Sequence, residues 1–362
     1  MPNIISVLPK EARLGDTITI KGSNFNNITS VYIAGRAATN YKVIDPATIT
    51  AIVGDGDTRK NEVRIVTEYA IVSYFDFTLL PKKIDGYDNS LQVAAEREIA
   101  YWDFETNLDI GFCDVCKIEY KEVHSGIGPI VDAGIFPGLF QEDFAILGQS
   151  LNLSNGYLVY PPIPSLNTPD ALSSFTISLW EKELTPSAAM STIFQLSGSH
   201  YSKILGQVQV GTLGGYGPDT TAFTASLTQI TPANGTHTEN FSDDPRTNNI
   251  FFPTPKNKWN HIVVRFDGLS RKLDLFIDGI LLDSWSVSAV TATETFTLET
   301  PVQPMIGTFA FQEDGFVNSA SASSETQARH GITAALDEIR VFNATLSNKE
   351  ILALTHLGQA GR

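Results

Sequence analysis

The sequence has 362 residues, which is enough for two or three domains that each bury a hydrophobic core. It carries 25 lysine and arginine residues against 40 aspartate and glutamate residues, so the formal net charge is −15. This charge disfavours binding to nucleic acid or to an anionic membrane, because both surfaces are themselves negative. We expect partners that are neutral or cationic, or that hold calcium. No apolar run reaches about 18 residues, so no membrane-spanning helix is predicted.

Residues 1–80 contain short apolar stretches separated by turn residues, which is the pattern of a small all-β domain. The predicted strands are Ile4–Pro9, Gly15–Phe25, Ile28–Gly35, Thr48–Val53 and Asn61–Val66. Strands of this length and spacing are typical of an immunoglobulin-like β-sandwich.

The same segment resembles a known family. Pro9 is followed by Gly15-Asp16-Thr17-Ile18-Thr19-Ile20-Lys21-Gly22-Ser23-Asn24-Phe25 and then by Thr48-Ile49-Thr50-Ala51. This order is similar to that of IPT/TIG domains over nearly the whole of residues 1–80. The resemblance implies a spacer or adhesive module of the kind found on cell-surface proteins, and we expect a rigid stalk with no ligand of its own.

Residues 81–98 are predicted to link this domain to a second one. The first part is polar and rich in turn residues, and residues 91–98 favour a short helical turn. The second domain is predicted over residues 99–362, with Ile99–Glu105 as its first strand. Farther along, the dipeptide Asn155-Gly156 predicts a tight hairpin between strands at Gly148–Leu153 and Tyr157–Tyr160.

The stretch from Trp259 to Trp285 predicts three consecutive antiparallel strands. Trp259–Phe266 is rich in β-branched and aromatic residues, and apolar residues then alternate with polar ones in the next strand. The chain turns first at Asp267–Ser270. Asp278-Gly279 then predicts a two-residue hairpin whose central residues have positive φ. Further predicted strands are Phe175–Trp180, Ile193–Leu196, Ile204–Val210 and Thr221–Leu227.

Long polar loops and one helix complete the second domain. The predicted loops are residues 211–219, 231–249 and 312–331. They form either a ligand-binding rim or connections with no binding role. Near the end of the chain, Ser347 and Glu350 form a capping box in front of a short helix at Ile351–Leu357. Gly358 is expected to end that helix.

Five motifs in this order carry a second resemblance. They are Trp102-Asp103-Phe104-Glu105, Ser150-Leu151-Asn152-Leu153, Phe175–Trp180, Trp259–Val264 with the strand ending in Asp278-Gly279, and Ala335–Phe342. The series resembles the LamG-like jelly rolls of the concanavalin A-like lectin/glucanase superfamily. The resemblance implies an all-β protein in which an immunoglobulin-like sandwich is followed by a concanavalin A-like jelly roll with a short C-terminal helix.

Catalysis is not predicted. Retaining glucanases with this fold carry an E-x-D-x-E or E-x-D-x-x-E pattern that places two carboxylates about 5 Å apart, and the sequence has no such pattern. On the predicted strands the acidic pairs are Asp103 with Glu105 and Asp337 with Glu338. Serine-hydrolase, zinc-protease and P-loop motifs are also missing from the sequence. An enzyme acting on polysaccharide is therefore the lesser alternative.

The second resemblance also implies a structural calcium ion near the junction of the first and last strands. The candidate oxygen ligands are Asp103, Glu105, Asn107, Asp109, Asp114 and Asp337. The stretch LDIGFCDVCK stands where calcium-binding members have an Asp-x-Ser-Gly-x-Gly loop, so ordinary surface carboxylates are an equal alternative. Within this stretch Cys113 and Cys116 form a C-x-x-C pair, which is a local disulfide or inert pair, two free thiols, or a metal or redox site.

Glycan binding needs exposed aromatic rings beside polar groups. Trp102, Trp180 and Trp259 lie in strand patterns and are expected in the core. The stacking candidates lie in loops or at strand ends, and their polar neighbours lie in the loops. The candidate ligand-binding residues are Tyr201, Tyr216, Asp219, Asn234, His237 and Trp285.

We therefore predict a non-catalytic protein at a cell surface, in which an immunoglobulin-like spacer presents a lectin-like jelly roll to carbohydrate or another surface ligand. The first residues show no export signal, which favours as an alternative a bacteriophage virion protein, such as a head or tail fibre or a capsid decoration, that attaches to host glycans. The predicted location is extracellular, on a cell or a virion. Homo-oligomers or larger surface assemblies are compatible with either alternative.

Overall fold

A computed structural model of the chain describes residues 1–104, 135–141, 146–156, 158–160, 163–168, 170–184, 190–198, 206–213, 220–231, 235–242, 254–255, 257–286, 302–307 and 332–362. The protein is all-β with a short C-terminal α-helix, as predicted. The chain divides into two compact units, Met1–Asp88 and Asn89–Arg362. The exact boundaries predicted for the domains and linker stay predictions. No helix among the described residues is long and apolar enough to cross a bilayer.

The first unit is a β-sandwich. Its strands are β1 (Asn3–Leu8), β2 (Glu11–Ala12), β3 (Thr17–Ser23), β4 (Ile28–Ile33), β5 (Arg36–Ala37), β6 (Asn40–Asp45), β7 (Thr48–Ile52), β8 (Val63–Thr67), β9 (Ile71–Tyr74) and β10 (Thr78–Leu79). Two antiparallel sheets have the orders β1-β3-β7-β6 and β5-β4-β8-β9, and β10 and β2 form a separate short parallel pair. Alternate residues such as Ile18, Ile20 and Ile49 fill the core between the sheets.

All five strands predicted for the first unit are present, and the structure adds the two-residue strands β2, β5 and β10 and the longer strands β6 and β9. Strand β6 lies at the edge of its sheet, and none of its residues is fully buried. An edge strand with no buried face needs no alternation of apolar and polar residues. The polar sequence of β6 therefore gave no strand pattern.

The second unit is a larger sandwich. Its described strands are β11 (Glu98–Trp102), β12 (Ile135–Gln141), β13 (Ser150–Gly156), β14 (Leu158–Val159), β15 (Phe175–Glu183), β16 (Met190–Gly198), β17 (Gly206–Leu213), β18 (Thr220–Thr231), β19 (Gly235–Ser242), β20 (Thr254–Pro255), β21 (Asn260–Asp267), β22 (Lys272–Ile277), β23 (Ile280–Ser286), β24 (Val302–Ile306) and β25 (Ile332–Phe342). Among the described residues, short 3-10 helices lie at Ser90–Gln92, Ala95–Arg97 and Pro164–Asn167. The α-helix α1 spans Asn348–Gln359.

The described strands of the second unit form two antiparallel sheets. The first has the order β12-β13-β25-β15-β21-β22-β23, with β11 also paired to β25. The second has the order β14-β24-β16-β17-β18-β19, with β20 paired to β18. The core contains Trp102, whose ring makes edge contacts with Tyr160 and Phe194 at centroid distances of 5.7 and 5.5 Å.

The predicted meander is confirmed. Strands β21, β22 and β23 follow one another in antiparallel pairing. Asp278 and Gly279, between β22 and β23, have φ of 50° and 78°. These are the positive values that a tight hairpin of this type requires. On β22, Leu273, Leu275 and Ile277 pack into the core, as their alternation predicts.

The hairpin predicted at Asn155-Gly156 is wrong. Strand β13 continues through both residues, and Gly156 is paired with Ile332 of β25. Strand β14 lies in the other sheet, where Leu158 pairs with Ile306. The dipeptide therefore lies where the chain passes from one sheet to the other. Backbone pairing with β25, which is distant in the sequence, overrides the local turn preference.

Part of the polar loop predicted at residues 231–249 is also a strand. Strand β19 (Gly235–Ser242) pairs with β18 over its full length, from Thr231↔Gly235 to Thr224↔Ser242. The prediction missed it because its residues, GTHTENFS, show no apolar alternation.

Strand β15 is longer than predicted, because it continues past Trp180 to Glu183. Glu181 and Glu183 therefore form a third acidic pair on a strand, in addition to the two pairs considered from the sequence. Both side chains are buried. They follow Phe175, Ile177 and Leu179 on the face of β15 that points into the core.

Helix α1 has the predicted capping box, but it begins earlier and ends later than the predicted range Ile351–Leu357. The Ser347 side chain accepts from the Glu350 backbone amide, while the Glu350 carboxylate accepts from the Ser347 amide at 2.7 Å. The helix continues through Gly358 to Gln359, and the residue with positive φ is Gly361, at 66°. Gly358 is therefore inside the helix. Its lack of a side chain is required by packing, since a Cβ there would lie 2.5 Å from Cζ2 of Trp180.

A buried charged cluster joins β11 and β25. Arg340 donates to the backbone oxygen and the hydroxyl of Ser90, both at 2.9 Å, and to Glu98 at 3.4 Å. Glu338 accepts from Arg340 and from the Tyr101 hydroxyl. The guanidinium also lies over the Tyr101 ring, 4.4 Å from its centroid. Burial raises the pKa of Glu98 to about 7 despite the nearby arginine.

Candidate functional site

Most of the residues predicted to bind a glycan lie outside the described residues. These are Tyr201, Tyr216, Asp219 and Asn234. His237 lies within strand β19, opposite Gln229, and not in a loop. Trp285 lies on β23 and is partly buried, packed against the core of the second unit. The predicted set of glycan-binding residues therefore stays a prediction.

The predicted calcium ligands are also only partly described. Glu105, Asn107, Asp109 and Asp114 lie outside the described residues, as do the two cysteines. The calcium site therefore stays a prediction.

Of the two described calcium candidates, Asp103 is partly exposed and Asp337 is fully buried. One oxygen of Asp337 accepts from the backbone amides of Ile146 and Leu147 at 2.8 and 3.0 Å, and the other accepts from the Glu338 amide at 2.8 Å. These bonds connect β25 to the segment before β13. Asp337 therefore has a structural role in the fold.

A different site is formed on the outer face of the sheet that contains β15 and β21. It is a groove of about 670 Å³ between the ends of these two strands and the end of helix α1, here called the Trp259 groove. Its lining residues are Ile146, Trp180, Lys182, Asn257, Lys258, Trp259, Gly358, Gln359, Ala360 and Gly361. All of them belong to the second unit and are described.

The floor of the Trp259 groove is closely packed. Trp180 is 3% exposed and stacks on His261, with ring centroids 4.8 Å apart and an angle of 24° between the planes. The two ring nitrogens of His261 are hydrogen-bonded to the hydroxyls of Ser178 and of Thr355 in helix α1. The helix backbone at Gly358 packs directly on the Trp180 ring. The groove is therefore preformed by packing.

The wall of the groove carries polar groups and one accessible aromatic ring. Trp259 is partly exposed just before β21 begins. Beside it, the Lys258 ammonium lies 3.6 Å from the Asp278 carboxylate, with 59% of the lysine side chain exposed. Lys182 and Gln359 add an ammonium group and an amide. An indole face beside several hydrogen-bond donors suits a ligand with an apolar face and many oxygen atoms.

Sequence reasoning expected Trp259 in the core because it lies in an apolar strand pattern. The structure shows that β21 starts one residue later, at Asn260. Trp259 points to the same side of the sheet as His261, and helix α1 packs on that side. The helix does not cover the beginning of β21, so Trp259 borders the groove there. One signal was present in the sequence: the charged and polar run Lys256-Asn257-Lys258 directly before Trp259 is typical of a strand end that faces solvent.

The comparisons with known proteins support the assignment of the first unit. Residues 2–78 match the family described as IPT/TIG domain. The sequence matches none of the curated proteins. The concanavalin A-like resemblance of the second unit stays a prediction.

Several solved structures are distantly similar. Domain 4 of AbnA, a GH43 extracellular arabinanase from Geobacillus stearothermophilus, in complex with arabinotriose, is 14% identical, with a TM-score of 0.41 over 72% of this chain and 98% of that one. The Ruminococcus gnavus IT-sialidase CBM40, bound to α2,3-sialyllactose, is 14% identical, with a TM-score of 0.36 over 53% of this chain and 88% of that one. A botulinum neurotoxin type C structure that concerns ganglioside binding is 16% identical, with a TM-score of 0.35 over 56% of this chain and only 40% of that one.

Proposed function

We propose that the protein is a non-catalytic carbohydrate-binding protein of an outer surface, whether of a cell or of a virion. The second unit holds the glycan in the Trp259 groove, and the IPT/TIG domain acts as the spacer that presents it. The observation that carries the proposal is the combination, in one preformed groove, of a partly exposed indole with ammonium and amide groups.

Carbohydrate is the ligand class that suits these groups. A sugar ring has an apolar C–H face that packs on an aromatic ring, and its hydroxyls need donors and acceptors around its edge. Trp259 supplies the ring, and Asn257 and Gln359 supply amides that both donate and accept. Lys182 and Lys258 favour a glycan that carries a carboxylate, because their ammonium groups can pair with it locally although the net charge of the protein is negative.

Binding without hydrolysis is supported by the composition of the groove. Hydrolysis of a glycosidic bond requires a pair of carboxyl groups beside the scissile bond. The described lining of the groove contains no aspartate or glutamate. The buried pair Glu181 and Glu183 lies on the opposite face of β15 from the lining residues Trp180 and Lys182.

The test is a glycan array followed by titration calorimetry with the full chain. The array includes neutral arabino-oligosaccharides and sialylated oligosaccharides, with and without calcium. Replacing Trp259 by alanine is expected to remove about 2 kcal/mol of binding free energy, roughly a thirty-fold loss of affinity, as for a central aromatic anchor. Lys182→Gln and Lys258→Gln are expected to weaken binding of acidic glycans more than binding of neutral ones.

The matched control is Trp285→Ala, which changes the tryptophan predicted from the sequence. The melting temperature of each variant shows whether it is folded. If Trp285→Ala abolishes binding while Trp259→Ala does not, the glycan binds elsewhere on the second unit. The proposal fails if the array and calorimetry detect no glycan, or if glycans are cleaved during incubation.

A further inference from the structure

The acidic pair on β15 lies in an unusual environment. Glu181 and Glu183 are two residues apart on the core-facing side of the strand, and are 2% and 6% exposed. Two carboxylates in such a position repel each other and lose their hydration. Burial, together with the charge of Glu183, raises the pKa of Glu181 well above its usual range.

A third buried side chain with an oxygen atom lies directly opposite Glu181. Asn260 of β21 is its cross-strand partner and is 1% exposed. The Asn260 side-chain nitrogen donates to the Lys258 backbone oxygen at 3.0 Å, so its amide oxygen points the other way. Within the described part of the chain, neither this oxygen nor Oε2 of Glu181 receives a hydrogen bond.

While both glutamates are ionised, their carboxylates have no proton to donate to each other or to the Asn260 oxygen. An acceptor without a donor is unfavourable in the interior, and native structures leave few such groups unexplained. One hydrogen of the Asn260 amide nitrogen is engaged by the Lys258 backbone oxygen, which leaves one further hydrogen to donate. A cation would balance the negative charge of the two carboxylates and would bind the unpartnered oxygens of Glu181 and Asn260, which are cross-strand partners.

We propose that Glu181, Glu183 and Asn260 are ligands of a buried divalent cation of the calcium type. Two carboxylates balance the ion's charge, and the amide oxygen is a further hard donor of the kind calcium accepts. Among the described residues no group of three or more histidine, cysteine, aspartate or glutamate side chains is placed to hold a metal. Here the third ligand is an asparagine, and the site is separate from the predicted Asp103 and Asp337 set.

The ion would have a structural role that does not depend on glycan binding. Its ligands lie on two neighbouring strands, so it would hold the ends of β15 and β21 together. Lys182 lies between two of the ligands, and Trp259 directly precedes the third. The cation therefore stabilises the backbone from which these two groove residues project on the opposite face.

The experiment uses the full chain treated with EDTA and then titrated with calcium chloride. The expected result is a rise of several degrees in melting temperature that saturates with added calcium, and a calorimetric binding signal. Terbium is the second probe. Trp180 and Trp259 directly precede the proposed ligands Glu181 and Asn260 in the sequence, so they can sensitise the luminescence of a terbium ion bound there. Glu181→Gln, which keeps the side-chain volume, is expected to lose both the temperature shift and the luminescence.

Two further variants make the result specific. Asp103→Asn changes the other predicted calcium site and is expected to keep the full shift, whereas Asn260→Asp adds a carboxylate and is expected to keep or enlarge it. If Glu181→Gln does not fold, Glu183→Gln provides the same comparison. The proposal is overturned if the wild type does not respond to calcium, if Glu181→Gln responds as fully as the wild type, or if Asp103→Asn alone abolishes the response.

Discussion

Trp180 and His261 stack face to face on adjacent strands, with their ring centroids 4.8 Å apart, and join the sheet to helix α1. The two ring nitrogens of His261 lie 2.8 Å from the Ser178 hydroxyl and 2.7 Å from the Thr355 hydroxyl. The Thr355 hydroxyl itself donates to the Ile351 backbone oxygen. It therefore accepts from Nδ1–H of His261, and this assigns the neutral tautomer in which Nε2 accepts from Ser178.

This arrangement predicts that the fold loses stability in acid. Burial, and secondarily the charge of Arg340, lowers the pKa of His261 to about 3, whereas the unfolded chain has the ordinary value of 6.5. The unfolded state therefore binds the proton first, and the free energy of unfolding falls as the pH decreases from about 6.5 to 3. The contribution of this one group is on the order of 4–5 kcal/mol.

The measurement is urea unfolding across this pH range for the wild type and for His261→Phe. Phenylalanine keeps a ring beside Trp180 but cannot be protonated, so its stability should depend less steeply on pH. The variant is expected to be less stable at pH 7, because Ser178 and Thr355 lose their partner. Parallel pH curves for the two proteins would contradict the assignment.

Replacing Gly358 by alanine is predicted to lower the stability of the second unit, although helix propensity alone would raise it. An alanine inside a helix usually stabilises it relative to glycine by roughly 0.5–1 kcal/mol. Here the added Cβ would meet the Trp180 ring at 2.5 Å, so Gly358→Ala is expected to destabilise the second unit by about 1–3 kcal/mol. Trp180→Phe makes room, so the double variant should lose less than the sum of the two single changes. Strict additivity in this cycle would show that the contact is unimportant.

Glu98 predicts a pH effect in the neutral range. Its pKa is about 7 in the folded protein because of burial and about 4.5 in the unfolded chain. The folded state therefore holds the proton more tightly, and the free energy of unfolding falls by about 3 kcal/mol as the pH rises from 4.5 to 7. Glu98→Gln should flatten this part of the stability curve, while Glu96→Gln, whose side chain is 76% exposed, should leave it unchanged.

Ser347 predicts a local effect at the start of helix α1. Ser347→Ala removes the acceptor for the Glu350 amide and is expected to cost about 1 kcal/mol of stability. Glycine is a better cap than alanine, so Ser347→Gly should lose only a few tenths of a kcal/mol. Thermal unfolding of the two variants checks this order, and equal losses would show that the cap is unimportant.

Local patterns predicted a large part of this fold. The strands of the meander, the positive φ at Asp278-Gly279 and the capping box at Ser347 each depend on residues close together in the chain. Such features are read directly from residue type and spacing. The IPT/TIG resemblance of the first 80 residues was confirmed for the same reason, since its motif lies within consecutive strands.

The candidate site could be predicted less well. The Trp259 groove combines the ends of two paired strands with the last turn of a helix almost a hundred residues farther along the chain, and no local pattern records that meeting. The same is true of Glu181 and Asn260, which face each other only because β15 pairs with β21 in one register. A shift of β21 by one residue relative to β15 would turn Asn260 to the other face of the sheet, away from Glu181.

The amino-acid sequence by itself determined the all-β class, the immunoglobulin-like first unit, the central meander and the closing helix, because backbone preferences and side-chain periodicity act over a few residues. Only the tertiary structure decided that Asn155-Gly156 lies in a passage between sheets, that Gly358 must be a glycine under Trp180, and that Trp259 borders a groove. These outcomes depend on strand pairing and packing between distant segments, whose free energies exceed the local preferences of the residues involved.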